Sequence, residues 1–155
     1  MKATELKSVS IHRMGRGWTR HFGPVLNDDA RQILPRLQSL TSIERLAIDA
    51  DLLTAEGVDA LESLPNLRSL EIYYAQRLDV RLLLRLVDLD HLSLLDNSDS
   101  RHGLLPPSAW LSLLEFKHLE SLSLYTADRS IHPHFETHLR TALPNTKIDL
   151  RATSR

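Results

Sequence analysis

The chain has 155 residues, 42% of them hydrophobic and 25% charged, with a formal net charge of -1. That is enough apolar material for one folded domain and too much for a disordered one, and the charge exerts no global pull on nucleic acid or an anionic membrane. There is no cysteine, which excludes disulfides, zinc–cysteine sites and thiol nucleophiles.

The opening stretch MKATELKSVSIHRMG carries no apolar run of signal-peptide type, and no later stretch reaches the length of a membrane span. The expected compartment is the cytoplasm, although a domain cut from a longer exported chain would read the same way. Ala3, Leu6, Val9 and Ile11 then set out a frame of apolar residues that recurs along the chain. It returns as Leu40, Ile43, Leu46 and Ile48; as Leu64, Leu67, Leu70 and Ile72; as Leu86, Leu89, Leu92 and Leu94; and as Phe116, Leu119, Leu122 and Leu124. A last copy, one residue shorter in the middle, is Leu143, Thr146, Ile148 and Leu150. The final two apolar residues of each frame stand one position apart, as on one face of a strand, and the spacing of three before them predicts a turn.

Helical spacing fills the intervals. Val58, Leu61 and Leu64 form one set, Leu82, Leu83, Leu86 and Leu89 a second, Trp110, Leu111 and Leu114 a third, and Phe135, Leu139 and Leu143 a fourth. Thr54 and Ser108 supply start signals, and Leu64-Pro65-Asn66 and Leu143-Pro144-Asn145 supply stops. Pro35 predicts an end or kink near Leu34 in the first helix.

This pattern resembles the leucine-rich-repeat family, of ribonuclease-inhibitor-like or bacterial type, whose signature is L-x-x-L-x-L-x-x-N/C. The resemblance runs from about residue 3 to residue 151. It implies an α/β solenoid with a parallel concave sheet and convex helices: one domain over 1–155 with about six repeats, 128–151 being the last. Successive strand ends lie 37, 24, 22, 30 and 26 residues apart, and such irregularity falls in loops. An ordinary α/β sheet of βαβ units is the competing architecture. The asparagine that closes the family's strands occurs only as Asn97; Asp51 is a substitute, whereas Met14, Ala75 and Ala127 are not.

The region 12–39 is a long loop and helix of the first repeat. The stretch from Ser10 to Phe22, SIHRMGRGWTRHF, leads into it, is basic and carries Trp18 and Phe22. Three roles compete for it: an N-terminal cap over the open end of the core, a partner contact, and, ranked behind both, a nucleic-acid contact.

No phosphate loop, nucleophile elbow or metalloprotease motif is present, so the expectation is a protein that is not an enzyme and needs no cofactor. The nearest approach to a metal site is the stretch SIHPHFETHL, where His134 and His138 stand four apart on a predicted helix, with His132, Glu136 and Asp128 close in sequence. A polar, solvated helix face is the competing account, and it is preferred.

Strand alternation also gives the face opposite the core. One row across the strands reads Ser8, Arg45, Ser69, His91, Ser121, Lys147, and the next Ser10, Ala47, Glu71, Ser93, Ser123, Asp149. The third reads His12, Asp49, Tyr73, Leu95, Tyr125, Arg151. Tyr73, Leu95 and Tyr125 make an apolar stripe suited to the core of an interface, and Glu71, Asp49, His91 and Arg45 are the expected specificity residues around it. Cover by loops, or a mere scatter of surface apolar residues, is the alternative for the stripe. The family resemblance implies recognition of a protein partner, without membrane or nucleic acid. A supporting fragment of a larger multidomain protein is the second reading.

Overall fold

The computed structural model describes residues 6–11, 25–26, 37, 39–75, 78–95, 107–126 and 133–152. Seven strands form one sheet: β1 (Ser8–Ile11), β2 (Val25–Leu26), β3 (Arg45–Asp49), β4 (Ser69–Tyr73), β5 (His91–Leu95), β6 (Ser121–Thr126) and β7 (Lys147–Ala152). Every pairing is parallel. Four α-helices among the described residues connect them: α1 (Ala55–Glu62), α2 (Val80–Leu83), α3 (Pro107–Leu113) and α4 (Pro133–Ala142). Parallel neighbours cannot be joined by a tight hairpin, and one of these helices lies in each connection from β3 to β7. The architecture is therefore α/β, and among the described residues no helix is long and apolar enough to cross a membrane.

The sheet order is β2-β1-β3-β4-β5-β6-β7. The frame read from the sequence is also the register of the sheet. Val9, Leu46, Leu70, Leu92, Leu122 and Ile148 pair side by side, as do Ile11, Ile48, Ile72, Leu94, Leu124 and Leu150. Both rows turn toward the helices, where Val58, Leu61, Val80, Leu83, Leu113 and Leu139 join them in one buried cluster. Parallel sheets covered on both faces usually run apolar throughout. Here β3 reads Arg-Leu-Ala-Ile-Asp, with Leu46 and Ile48 buried in the cluster shared with the described helices, Arg45 exposed, Ala47 half-buried and Asp49 buried, so the described helices join the core from one face of the strand.

A column of backbone carbonyls holds this register at the strand entries. Lys7 O accepts from Glu44 N and Arg45 N at 2.9 and 3.0 Å, and Glu44 O accepts from Arg68 N and Ser69 N at 2.9 and 3.1 Å. Arg68 O accepts from Asp90 N and His91 N at 2.8 and 2.9 Å, Asp90 O from Glu120 N and Ser121 N at 2.8 and 3.1 Å, and Glu120 O from Lys147 N at 2.8 Å. Side chains brace the same turns: Ser42 Oγ donates to Leu6 O at 3.1 Å, Asn66 Nδ2 to Thr41 O at 2.7 Å, and the buried Thr146 Oγ1 to Leu119 O at 2.8 Å. Thr146 replaces an apolar residue of the frame, and this bond satisfies the hydroxyl that burial would otherwise leave unpaired.

The helix starts and stops are mostly where the signals put them. Thr54 caps α1, its hydroxyl accepting from Gly57 N at 3.2 Å. The stop signals follow directly, α1 ending at Glu62 and α4 at Ala142. α3 begins on Pro107, so Ser108 lies in the first turn instead of capping it; proline suits the first helical position because its missing N–H has no intrahelical partner there.

Two of the spacing sets need correction. The set Leu82, Leu83, Leu86 and Leu89 gives only the short helix α2, and Leu86 N and Leu89 N bond to Leu83 O and Leu86 O at 3.0 and 3.2 Å in successive turns. Turns three residues apart bury one side as well as a helix does, so periodicity alone does not separate them. In α3, Leu111 is 66% exposed and Leu113 fully buried. Ala109 and Leu113, four apart, set the buried stripe, and Leu111 falls on the opposite side. Trp110 instead meets Phe135 of α4 edge-on, with ring centroids 4.4 Å apart.

β2 has no counterpart in the sequence reading: Val25 and Leu26 pair with Ser10 and Ile11, on the side of β1 away from β3. Asp51 lies exposed in a short 3-10 turn, Ala50–Leu52, and Ala75 is buried. Pro35, Asn97, Met14, Ala127, Trp18 and Phe22 lie outside the described residues.

Leu122→Ala, at a fully buried frame position in β6, is expected to lower unfolding free energy by about 2–5 kcal/mol. Leu111→Ala is expected to stay within roughly 0.5 kcal/mol. Urea denaturation of both variants tests the burial pattern, and equal losses would contradict it.

Candidate functional site

The face opposite the described helices is built from alternate residues of each strand. Its three rows stand in register. Ser8, Arg45, Ser69, His91, Ser121 and Lys147 form the first, and Ser10, Ala47, Glu71, Ser93, Ser123 and Asp149 the second. Asp49, Tyr73, Leu95, Tyr125 and Arg151 form the third; His12 lies outside the described residues. Tyr73, Leu95 and Tyr125 are therefore direct neighbours, about 4.8 Å from strand to strand.

Their exposure is graded. Ser10 is 1% exposed, Asp49 5% and Tyr73 5%, whereas Leu95 and Tyr125 are half-buried and Arg151 is exposed. Tyr73 thus does not stand free on the surface. Its hydroxyl donates to Glu71 Oε1, two residues back on the same strand and face. Burial, then the bond to Glu71, then the negative charges of Glu71 and Asp49 hold the Tyr73 phenol well above its ordinary value. Glu71 is consequently committed to Tyr73, and Asp49 is buried beside it. The chain leaves β4 through Tyr74, a non-glycine residue with φ of 58°, which turns the backbone sharply at the end of the strand.

Toward β7 the face is more open. Arg151 lies over the Tyr125 ring, 5.7 Å from its centroid, and its guanidinium pairs with Asp149 at 2.8 Å. His91 Nδ1 shares a hydrogen bond of 2.9 Å with Ser121 Oγ of the next strand. Arg45 and Lys147 are exposed, and neither forms an ion pair among the described residues.

Residues that the spacing did not single out line the strand entries. Lys7, Glu44, Arg68, Asp90 and Glu120 occupy equivalent positions, with Lys7 to Glu44 at 2.8 Å and Arg68 to Asp90 at 3.9 Å. The neighbouring Lys7 holds the Glu44 carboxyl below its ordinary range. A charged residue directly before β1, β3, β4, β5 and β6 was the available signal. A groove of about 230 Å³ lies near the same edge, lined by leucines of the turns, Val87 and Arg85. Arg85 is locked to Glu62 and Asp59 at 2.5 and 2.6 Å.

Of the histidine stretch, His138 is exposed on α4, and Glu136 is taken by Arg140 at 2.8 Å. His134 belongs to α4, but its side chain lies outside the described residues, as do His132 and Asp128. Among the described residues no three His, Cys, Asp or Glu side chains gather as a metal site would require. No protein-family model matches the chain, and no curated protein sequence matches it.

The raised Tyr73 value has a definite sign. The folded protein holds this proton more tightly than the unfolded chain, so the associated stability is complete below about pH 10 and drains away as pH climbs through the elevated folded value. Wild type is expected to lose more stability than Tyr73→Phe between roughly pH 9 and 11, as read by denaturation at each pH. Parallel losses would remove the buried phenol–carboxylate pair from the account.

Proposed function

We propose that this chain is a leucine-rich-repeat solenoid that works as a non-catalytic protein–protein interaction module. Its helices form the convex side, and its partner sits on the concave sheet face. The compartment proposed for it is the cytoplasm, and among the described residues no helix is long and apolar enough to cross a membrane. The aligned frames support the repeat reading: equivalent leucines stand beside one another, and each strand offers only one face to the core. A βαβ sheet wrapped on both sides would leave no such second face.

The observation that carries the binding role is the composition of that face around β5 to β7. Leu95 and Tyr125 stand half-buried among Ser93, Ser121 and Ser123, with His91, Lys147 and Arg151 at the margin. An apolar, aromatic centre with a polar rim is how recognition surfaces are composed. The centre of contact therefore moves toward β7 relative to the sequence reading, because Tyr73 and Asp49 are already buried. Leu95 and Tyr125 anchor the partner, His91 and Arg45 tune its choice, and Glu71 acts by holding Tyr73.

The test compares two variants in affinity capture from the source cell with quantitative mass spectrometry. Leu95→Glu/Tyr125→Glu alters the open sheet face, while Val87→Glu/Leu111→Glu alters residues that are 67% and 66% exposed outside it. The first is expected to lose the captured protein by at least about tenfold, equivalent to about 1.4 kcal/mol, and the second to keep it. Equal capture by both, with unchanged circular dichroism, rejects the face.

A further inference from the structure

The entry-side row of the open face alternates in a regular way. Arg45, His91 and Lys147 come from β3, β5 and β7, and Ser69 and Ser121 come from the strands between. The three larger side chains are exposed, and the serines between them are short. Two strand spacings separate each of these larger side chains from the next, about 9.6 Å. A polyproline II chain lying across the strands advances about 9.3 Å per turn of three residues. The two periods agree to within a few tenths of an ångström.

Charge points to the chemistry of such a chain. The carboxylates of the open face are occupied: Asp49 is buried, Glu71 takes the Tyr73 hydroxyl, and Asp149 pairs with Arg151 at 2.8 Å. At the strand entries, Glu44 is held by Lys7 at 2.8 Å and Asp90 lies 3.9 Å from Arg68, while Glu120 is exposed beside Ser121. The row itself offers the Arg45 and Lys147 cations, the His91 imidazole, which shares a hydrogen bond with Ser121, and the Ser69 hydroxyl.

We propose that the part of the partner seated on this row is an acidic segment in polyproline II conformation, with a carboxylate at every third residue facing Arg45, His91 and Lys147. This rests on the interaction-module reading and names the chemistry of what that module holds. Proline pre-sets the extended conformation, so little ordering is left to oppose binding. Each contact with an exposed cation is weak by itself and is screened by salt, so the segment supplies register and selectivity while Leu95 and Tyr125 supply the apolar anchor.

The test uses the full chain and fluorescently labelled peptides, read by anisotropy at low salt. A peptide of repeating Glu-Pro-Pro is expected to bind, and its Gln-Pro-Pro counterpart to bind at least about tenfold more weakly. The double variant Arg45→Glu/Lys147→Glu is expected to weaken the Glu-Pro-Pro peptide by a similar factor or more, with its far-ultraviolet circular dichroism unchanged. A peptide with the same number of glutamates grouped at one end is expected to bind more weakly than the evenly spaced one. Absence of Glu-Pro-Pro binding, indifference to the double variant, or equal affinity for the grouped peptide would each overturn the proposal. Equal affinity for a single-stranded oligonucleotide would also overturn it, in favour of a general polyanion surface. None of these results bears on the Leu95/Tyr125 capture experiment, so the acidic segment can fail while the interaction-module reading stands.

Discussion

Register is the constraint on which the rest of this molecule depends. A strand exposes alternate side chains on its two faces, so a slip of one residue between neighbours would move every leucine of that strand from the helix side to the open side. The frame residues avoid this by matching across β1 and β3 to β7, but apolar matching alone tolerates sliding by two. The carbonyls of Lys7, Glu44, Arg68, Asp90 and Glu120 remove that freedom, because each accepts the first N–H groups of the following strand. Hydrogen bonding at the entries thus selects the register, and burial of the leucine rows stabilises it. The three rows of the open face are a geometric consequence of the same choice.

How far this was legible in the sequence depends on how local the determining physics is. The strands could be read because two apolar residues one position apart, preceded by a fixed turn spacing, define both an element and its inward face. Thr54 could be read for the same reason, since its bond to Gly57 N spans three residues. Leu86 and Leu89 fitted both the turn of the frame and a helical set, because helix and successive turns bury the same positions, and the turn is what forms. Leu111 was misplaced because three apolar neighbours, Trp110, Leu111 and Leu113, compete for one stripe on a seven-residue helix. β2 carries only two residues, too few for a pattern.

The open face was legible in its membership and not in its exposure. Alternation placed Asp49, Tyr73, Leu95 and Tyr125 in one row, and that row exists. Whether a residue in it meets solvent is decided by what else packs there, which strand periodicity does not encode. Tyr73 is the clearest case. Its hydroxyl finds Glu71 on its own strand, so an aromatic that reads as a contact residue serves to close one part of the face. The short separation Glu71-x-Tyr73 was a visible hint, since side chains two apart on a strand share a side.

The gradient along the sheet gives the molecule a direction. Near β1 the open face is shut, with Ser10 at 1% exposure, and the outer edge of β1 is paired with β2. Near β7 the face opens, and its edge carries Lys147, Asp149 and Arg151, charged residues of the kind that discourage another strand from adding. A surface that was open at both ends would have no preferred placement for a partner. Here the half-buried Leu95 and Tyr125 lie between a closed end and a charged end, on strands whose register is fixed from both sides. Little rearrangement is then left for binding, and a rigid surface loses less entropy on association than one that must order itself. The same entry carbonyls that keep the leucines inward therefore also keep Leu95 and Tyr125 in place for the recognition proposed for them.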